Sequence, residues 1–396
     1  MDSLATVPPK PRILHIASWY PSAVHGTLGN FVRRHIEAIA TQCASEVWYA
    51  AAAPKGQKVP LDTVQSTGSI TEHLVYFAAK KPVVRQTTRA LLQLAEAHAV
   101  PPFDLIHLHV TYPAGQAARL LAKRWDLPLV VTEHWTAYHA DQRHKLPFWR
   151  KRSMRLTGKA STLLCPVSEN LASSMGDFGM GNHTQVIPNV VDTNLFKRNE
   201  SARSADGSFE LLHISSLSDE QKNISGMLRA LADALPQCPQ LRVTIIGDGD
   251  PLPHQQFART LGISNRVQIQ GEIPLSEVAE RMRTADALIL FSNFENFPCV
   301  IPEAWASGIP VISTDVGGIA EHLTSERGIL VKRGDEAALT SAIVFMATTP
   351  SPAHLDAAAL RAIATSTFSI EAIADQYTAA YQKALHLHAS TDSRTS

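Results

Sequence analysis

The stretch DLIHLHVTYPAGQAARLLAKRWDLPLVVT, Asp104 to Thr132, decides how this chain folds. Asp104 to Val110 is a short β-rich run, Ala114 to Trp125 has helical patterning, and Leu129 to Thr132 is again apolar. A strand, a helix and a strand in about thirty residues make a βαβ unit, whose two strands run parallel because the helix carries the chain back to the starting edge. The same rhythm extends outward on both sides. Before it come Arg12 to Trp19 with Leu28 to Thr41, then Glu46 to Ala52, then His73 to Ala78 with Val83 to His98. After it the rhythm restarts with Glu210 to Ser215, Ile224 to Leu235, Arg242 to Ile246, Gln255 to Leu261, Val267 to Gln270 and Leu275 to Thr284. It continues through Leu288 to Phe291, Pro302 to Ser307, Val311 to Ser313, Ile329 to Lys332 and Glu336 to Ala347. Two doubly wound parallel sheets in series are predicted.

Between them Asn199 to Ser208, NESARSADGS, is polar and small, as a linker or exposed loop is. The predicted division is therefore an N-terminal domain over 1–196, a linker over 197–208, a C-terminal domain over 209–369, a final helix over 370–386 and a disordered tail over 387–396. With 396 residues, 45% of them hydrophobic and 18% charged, the chain is long enough for two cores and too apolar for wholesale disorder. Net charge is zero, yet residues up to Phe196 are basic and the remainder acidic by the same amount, which suggests an anionic partner for the first half. Cys43, Cys165, Cys238 and Cys299 show neither a CxxC pair nor metal-ligand spacing, as expected of reduced thiols in the cytosol. The start of the chain lacks a charged and then apolar leader, and no apolar run approaches a membrane span, so a cytoplasmic protein is expected.

Open parallel sheets bind ligands outside the carboxyl ends of their strands, and two such sheets facing one another make a cleft. A dinucleotide dehydrogenase fits poorly, because the first strand runs into SWYPSAVHGTLGN, Ser18 to Asn30, where no GxGxxG occurs. The chemistry is concentrated instead in FENFPCVIPEAWASG, Phe294 to Gly308, where Glu295 and Glu303 stand on either side of a predicted strand-to-helix junction. Pro302 suits a helix start, and the N–H groups of Phe297, Cys299 and Val300 are placed to meet a phosphate or a sugar hydroxyl.

This stretch resembles the E-x7-E region of retaining glycosyltransferases of the GT-B fold, family 4. Further segments follow in the family's order: VIPNVVDTNLF (Val186 to Phe196), IIGDGDP (Ile245 to Pro251), NRVQIQGEIP (Asn265 to Pro274) and ISTDVGGIAEHL (Ile312 to Leu323). The match spans roughly residues 12 to 385, and an ordered set is more specific than any one motif. The resemblance implies two Rossmann-like domains facing across a cleft and transfer of a hexosyl unit, with retention, from a nucleotide diphosphate sugar to a glycan or lipid-linked acceptor in surface polysaccharide or glycoconjugate synthesis. UDP is favoured as the nucleotide, with no cofactor or metal required.

Carried over residue by residue, the resemblance makes Glu303 the carboxylate on the donor ribose, Glu295 the one on the transferred sugar and Lys222 the cation on the diphosphate. Asn296, Phe297, Cys299 and Val300 fall in the same donor-binding stretch, Gly247 and Gly249 form its glycine turn, and Gln270 with Gly271 belongs to the strand that meets the base. Gly29, in GTLGNF, takes the place of the glycine loop at the β-phosphate, and His109 that of the histidine beside sugar and acceptor. Glu133, either as an acceptor-binding group or as a partner that supports a ligand-contacting residue, and His134 are candidates for the acceptor side. The family often carries an Arg where this chain has Ser216, and a Gly where it has Pro298, which cannot donate an N–H.

His107 and His109 share one strand face, but two imidazoles without a defined third leave no metal site predicted. Asp248-Gly249-Asp250 matches the DxD metal motif of the other glycosyltransferase fold only superficially, since it follows the second strand of the second unit. Arg143 to Lys159 carries Arg143, Lys145, Arg150, Lys151, Arg152, Arg155 and Lys159, no acidic residue, and interleaved Phe148, Trp149, Met154 and Leu156. It reads either as a peripheral docking surface for anionic membrane or as a solvated helix with a core-facing stripe. The rival functions are a GT-B sugar-nucleotide epimerase and a GT-B binding protein that has lost catalysis; the retained Lys222, Glu295 and Glu303 favour transfer.

Overall fold

The computed structural model describes residues 10–53, 56, 61–79, 82–96, 101–181, 183–198, 207–349 and 355–392. Two units emerge, one of residues 1–188 with 373–396 and the other of 189–372. The chain therefore passes into the second unit at Asn189, ahead of the predicted boundary, whose linker residues 199–206 lie outside the described ones.

Unit 1 runs β1 (Arg12–Ala17), α1 (Asn30–Ala40), β2 (Ala44–Ala52), β3 (Leu61–Thr67), β4 (Ile70–Phe77), α2 (Val83–Ala95), β5 (Leu105–His109), α3 (Gly115–Trp125), β6 (Leu129–Glu133), α4 (Ala140–Arg143), α5 (Phe148–Ala160), β7 (Leu163–Pro166) and α6 (Glu169–Asp177). The strand order is β3-β4-β2-β1-β5-β6-β7. Every pairing is parallel except β3 with β4, an antiparallel edge that the polar run Leu61 to Thr67 did not announce. β5 is buried along its whole length, as a central parallel strand covered on both faces must be. Leu14, Ile16, Ile106, Leu108 and Val131 pack on one face with Leu91 and Leu121. Ala17, Val47, Tyr49 and Leu74 pack on the other, against Val32 and Ile36 of α1.

Unit 2 runs β8 (Phe209–Ser216), α7 (Asp219–Lys222), α8 (Ile224–Ala234), β9 (Leu241–Asp248), α9 (Leu252–Thr260), β10 (Val267–Gln270), α10 (Leu275–Thr284), β11 (Ala287–Leu290), α11 (Val300–Ala306), β12 (Val311–Thr314), β13 (Gly328–Val331), α12 (Glu336–Thr348) and α13 (Ala357–Phe368). Its order is β10-β9-β8-β11-β12-β13, all parallel. The sequence direction reverses between β8 and β11 here, and between β1 and β5 in unit 1; those reversals are where such sheets bind ligands. Leu211, Ile245, Ile289 and Ile312 pack beneath α8 and α12, and Leu212, Ile246, Leu288 and Leu290 pack with Trp305 and Phe368.

The last helix, α14 (Ile370–Asp392), belongs with unit 1 from Ile373 onward. Where a tail was predicted from residue 387, the helix continues to Asp392, and 393–396 lie outside the described residues. Among the described residues no helix is long and apolar enough to cross a membrane.

Candidate functional site

In unit 2, Lys222 and Glu295 come from the loops that follow β8 and β11, the two strands flanking the reversal. Lys222 ends the single turn of α7, after which Asn223 turns left-handed at φ 52° and caps α8 by accepting from Gly226 N. That tight exit leaves Lys222 only 8% exposed, with its ammonium donating to the Glu295 carboxylate. Ser292 Oγ donates to the same Glu295 oxygen at 2.8 Å, and Gln221 Nε2 reaches the other at 3.5 Å. Glu303 is 2% exposed and lies in the first turns of α11, whereas Glu295 precedes that helix, as the sequence predicted. A buried ammonium and two buried carboxylates at a reversal point are costly unless they serve one another or a ligand.

Backbone contacts fix the Glu295 loop. Asn189 Nδ2 donates to Phe297 O at 2.6 Å, Gly318 N to Asn296 O at 2.7 Å, and Thr314 Oγ1 to Ser292 O at 2.8 Å. Gly317 sits at φ 60°, and a Cβ there would meet Glu295 O at 2.0 Å, so only glycine permits the loop to lie where it does. These anchors were not among the predicted site residues, although both segments carrying them had been singled out.

Phe297 turns its ring inward, 5.4 Å from Phe368 and 4.7 Å from His322, so its side chain belongs to the core and leaves only its backbone to the site. Buried Asn296 is on the same loop, and half-buried Cys299 and Val300 stand at the start of α11. Gly247 and Gly249 lie at the end of β9, and Gly271 just after β10. Gln270 ends β10 with its amide nitrogen buried and without a hydrogen-bond partner among the described residues. Asp250 accepts from Leu252 N at 3.0 Å at the start of α9. A cavity of about 950 Å³ lined by Glu210, Arg242, Thr244, Gln268 and Arg281 opens at the other, amino-terminal ends of β8, β9 and β10.

In unit 1, Gly29 precedes α1 at φ 76°, and a Cβ on it would stand 2.6 Å from the Trp19 carbonyl. Packing against Trp19 thus requires this glycine. His109 lies inside a wholly buried imidazole cluster: its Nε2 is 3.1 Å from His15 Nδ1, and its Nδ1 has no partner. His15 Nε2 is 3.2 Å from Ser45 Oγ, while His107 bonds Tyr381 OH at 2.7 Å and Thr132 Oγ1 at 2.8 Å. Burial lowers the His15 pKa to about 3 and holds His107 and His109 well below the usual range, with the neighbouring imidazoles adding to the effect for the latter two. The third imidazole that spacing along β5 did not supply is thus His15, from the adjacent strand; one nitrogen from each of the three lies within 4.8 Å of the others, near enough to share a metal ion. Most of their nitrogens are already engaged by hydroxyl groups or by one another, the arrangement of a neutral, hydrogen-bonded polar core.

Of the two roles left open for Glu133, its contacts are those of a supporting partner. Its two oxygens accept from Thr111 N and Oγ1, His134 N, Trp135 N and Tyr138 OH, all at 2.8 to 3.0 Å. Burial raises its pKa while these donors pull the other way. A carboxylate so fully occupied anchors the turn after β6 and has no lone pair left for an acceptor. His134, half-buried, packs 4.5 Å from Phe31 and 5.0 Å from His35.

Two family models match the chain, "Glycosyltransferase Family 4" over residues 28–195 and "Glycosyl transferases group 1" over 208–349. The glycogen synthase of Mycobacterium tuberculosis is 26% identical over 397 residues, covering 92% of each protein. Among solved structures, sucrose-phosphate synthase from Thermosynechococcus elongatus superposes with a TM-score of 0.79 at 21% identity, over 94% of this chain and 99% of that one. HepE of Anabaena, solved in complex with UDP, gives 0.70 at 19% identity over 94% and 99%. The likeness to these structures establishes the fold, and the two family models between them take in every strand of the two sheets except β1, together with the segment carrying Lys222, Glu295 and Glu303. The chain belongs to the group 1, family 4 glycosyltransferases of the GT-B fold and is a transferase enzyme.

Proposed function

We propose that this glycosyltransferase moves a hexosyl unit from a UDP-sugar, with retention, onto a glycan or lipid-linked acceptor of surface polysaccharide or glycoconjugate synthesis, without a divalent ion. The observation that carries this reading is the Lys222–Glu295 pair at the reversal point of the unit 2 sheet. Lys222 exchanges its carboxylate partner for the donor diphosphate, and Glu295, so released, accepts from hydroxyls of the transferred sugar. Glu303 accepts from the ribose, and the Gln270 segment meets the base. UDP bound to the similarly folded HepE supports the choice of nucleotide.

In the proposed step the bond between the anomeric carbon and the leaving phosphate oxygen breaks as the acceptor oxygen bonds to that carbon on the same face. The acceptor proton passes to the departing phosphate, so no protein base is needed. Negative charge grows on the diphosphate, and the Lys222 cation lowers the barrier by stabilising it. His109, buried in its network, acts through the position of the β5 end rather than as a proton carrier.

Helix α5 supplies the anionic-surface contact in this reading. Phe148 is 75% and Trp149 54% exposed beside Lys151 and Arg152, the composition of a helix that settles into a charged interface. Anomeric configuration tests the central step: proton NMR of the first product from an α-linked donor shows the α signal if the reading holds and the β signal if it fails. Glu295→Gln that turns over at the unaltered rate removes the sugar-contact role.

A further inference from the structure

A second feature gathers at the reversal point of unit 1. Trp19 follows β1, Tyr112 follows β5, Trp135 follows β6, and Trp149 and Arg150 lie in the first turn of α5. Trp19 and Trp135 meet edge to face with centroids 5.6 Å apart, and Tyr112 and Trp149 lie 6.2 Å apart. Into this cluster Arg150 lays its guanidinium, 4.4 Å from the Tyr112 centroid, 5.5 Å from Trp149 and 5.9 Å from Trp135. Rings of this kind hold a cation in place without neutralising it.

What the cluster lacks is an anion. Among the described residues no carboxylate pairs with Arg150, its Nε is buried without a hydrogen-bond partner, and α5 contains no acidic residue. The carboxylate nearest in sequence to Trp135, Glu133, is fully occupied by its five donors. A planar guanidinium with an unsatisfied donor suits an oxyanion that offers it two oxygens side by side, and a phosphoryl group on a sugar or lipid chain does so. Trp19, Tyr112 and Trp135 are each half-buried, leaving ring surface for the carbon skeleton of a ligand. The place is also the right one, since β1 and β5 flank the reversal, where open sheets of this type take ligands at their carboxyl ends.

We infer that Arg150, cradled by Tyr112, Trp135 and Trp149, binds a phosphoryl group of the acceptor, so that the acceptor is a phosphate ester whose carbon skeleton lies against Trp19 and Trp135. This rests on the proposed transfer reaction for the word acceptor, but the phosphate site is testable without it. Tryptophan fluorescence is the readout, and UDP is present to fill the donor site. Glucose 1-phosphate and farnesyl diphosphate serve as sugar and lipid phosphate probes, with methyl α-glucoside as the phosphate-free control.

At least one phosphate gives a saturable change that methyl α-glucoside does not, and whichever binds names the source of the phosphate. Arg150→Gln weakens that binding about tenfold or more, and Arg150→Lys does not restore it, because an ammonium cannot lie flat among the rings. The UDP-induced rise in melting temperature persists in both variants and shows that they fold. Absence of binding by either phosphate, equal binding by the glucoside, or wild-type affinity in Arg150→Gln overturns the site. Loss of the UDP effect in the wild type, with Arg150-dependent phosphate binding intact, overturns the donor reading instead.

Discussion

The Lys222 ammonium donates to the Glu295 carboxylate across the reversal between β8 and β11. Both groups are buried, and each is held by the loop of a different strand. Replacing Lys222 with Met leaves the shape of the loop intact and removes the positive charge. We expect transfer to slow about a hundredfold, the scale on which a single charge-stabilising group acts on a developing anion. Steady-state kinetics with the variant's denaturation midpoint as a control checks this; a loss smaller than threefold excludes Lys222 from the diphosphate.

Gly317→Ala tests how the Glu295 loop is held. The new methyl would stand 2.0 Å from Glu295 O at a φ of 60°, so the loop must move to admit it. The expected result is destabilisation of about 1–3 kcal/mol together with a fall in turnover beyond what the unfolded fraction explains. A variant with wild-type turnover per folded molecule shows that the loop position is not critical.

Glu133→Gln separates anchoring from acceptor binding. The amide turns an NH2 toward groups that are themselves donors, Thr111 N, His134 N, Trp135 N and Tyr138 OH, and a destabilisation of about 1–3 kcal/mol follows. Urea denaturation measures it. A specific rise in acceptor KM with unchanged stability restores the acceptor role.

Acid sensitivity follows from the histidine core. His15, His107 and His109 have lowered folded pKa values, about 3 for His15, so below pH 6.5 the unfolded chain takes up protons that the folded one refuses. Stability therefore falls as pH drops from about 6.5, by up to about 1.4 kcal/mol per pH unit for each such histidine. Glu133, raised by burial, acts oppositely at lower pH, because the folded state keeps its proton above the point where the unfolded chain loses it. Denaturation midpoints at pH 7.5 and 5.5 measure the slope, which His15→Phe with His109→Phe should flatten; equal midpoints in the wild type contradict the buried neutral state.

The sequence and the structure agree where a local pattern decides the outcome. The parallel strands other than β7, and the placement of Glu295 before a helix and Glu303 inside it, were legible, because burial pattern and helix signals act within about ten residues, whereas the four residues of β7 are too few to show a pattern. β3 was missed because an antiparallel edge strand exposed to water has no apolar run to reveal it. His15 was not connected to His107 and His109, since only the pairing of β1 with β5 brings them together. Sequence left Glu133 open between acceptor binding and support of its neighbours, because the donors of Thr111 and Tyr138 that fill its lone pairs reach it only in the folded turn. The Arg150 cradle was invisible for the same reason, its rings coming from two strand ends and one helix.

The most direct test of the donor reading is a thermal-shift panel of UDP-, GDP- and ADP-sugars in EDTA, on the wild type and on Glu303→Ala. A ligand that binds only the folded state at a hundred times its dissociation constant stabilises that state by about 2.7 kcal/mol. The account predicts a clear rise in melting temperature with a UDP-sugar, undiminished by EDTA and largely lost in Glu303→Ala. A wild type that responds to no sugar nucleotide, or only when a divalent ion is added, contradicts it.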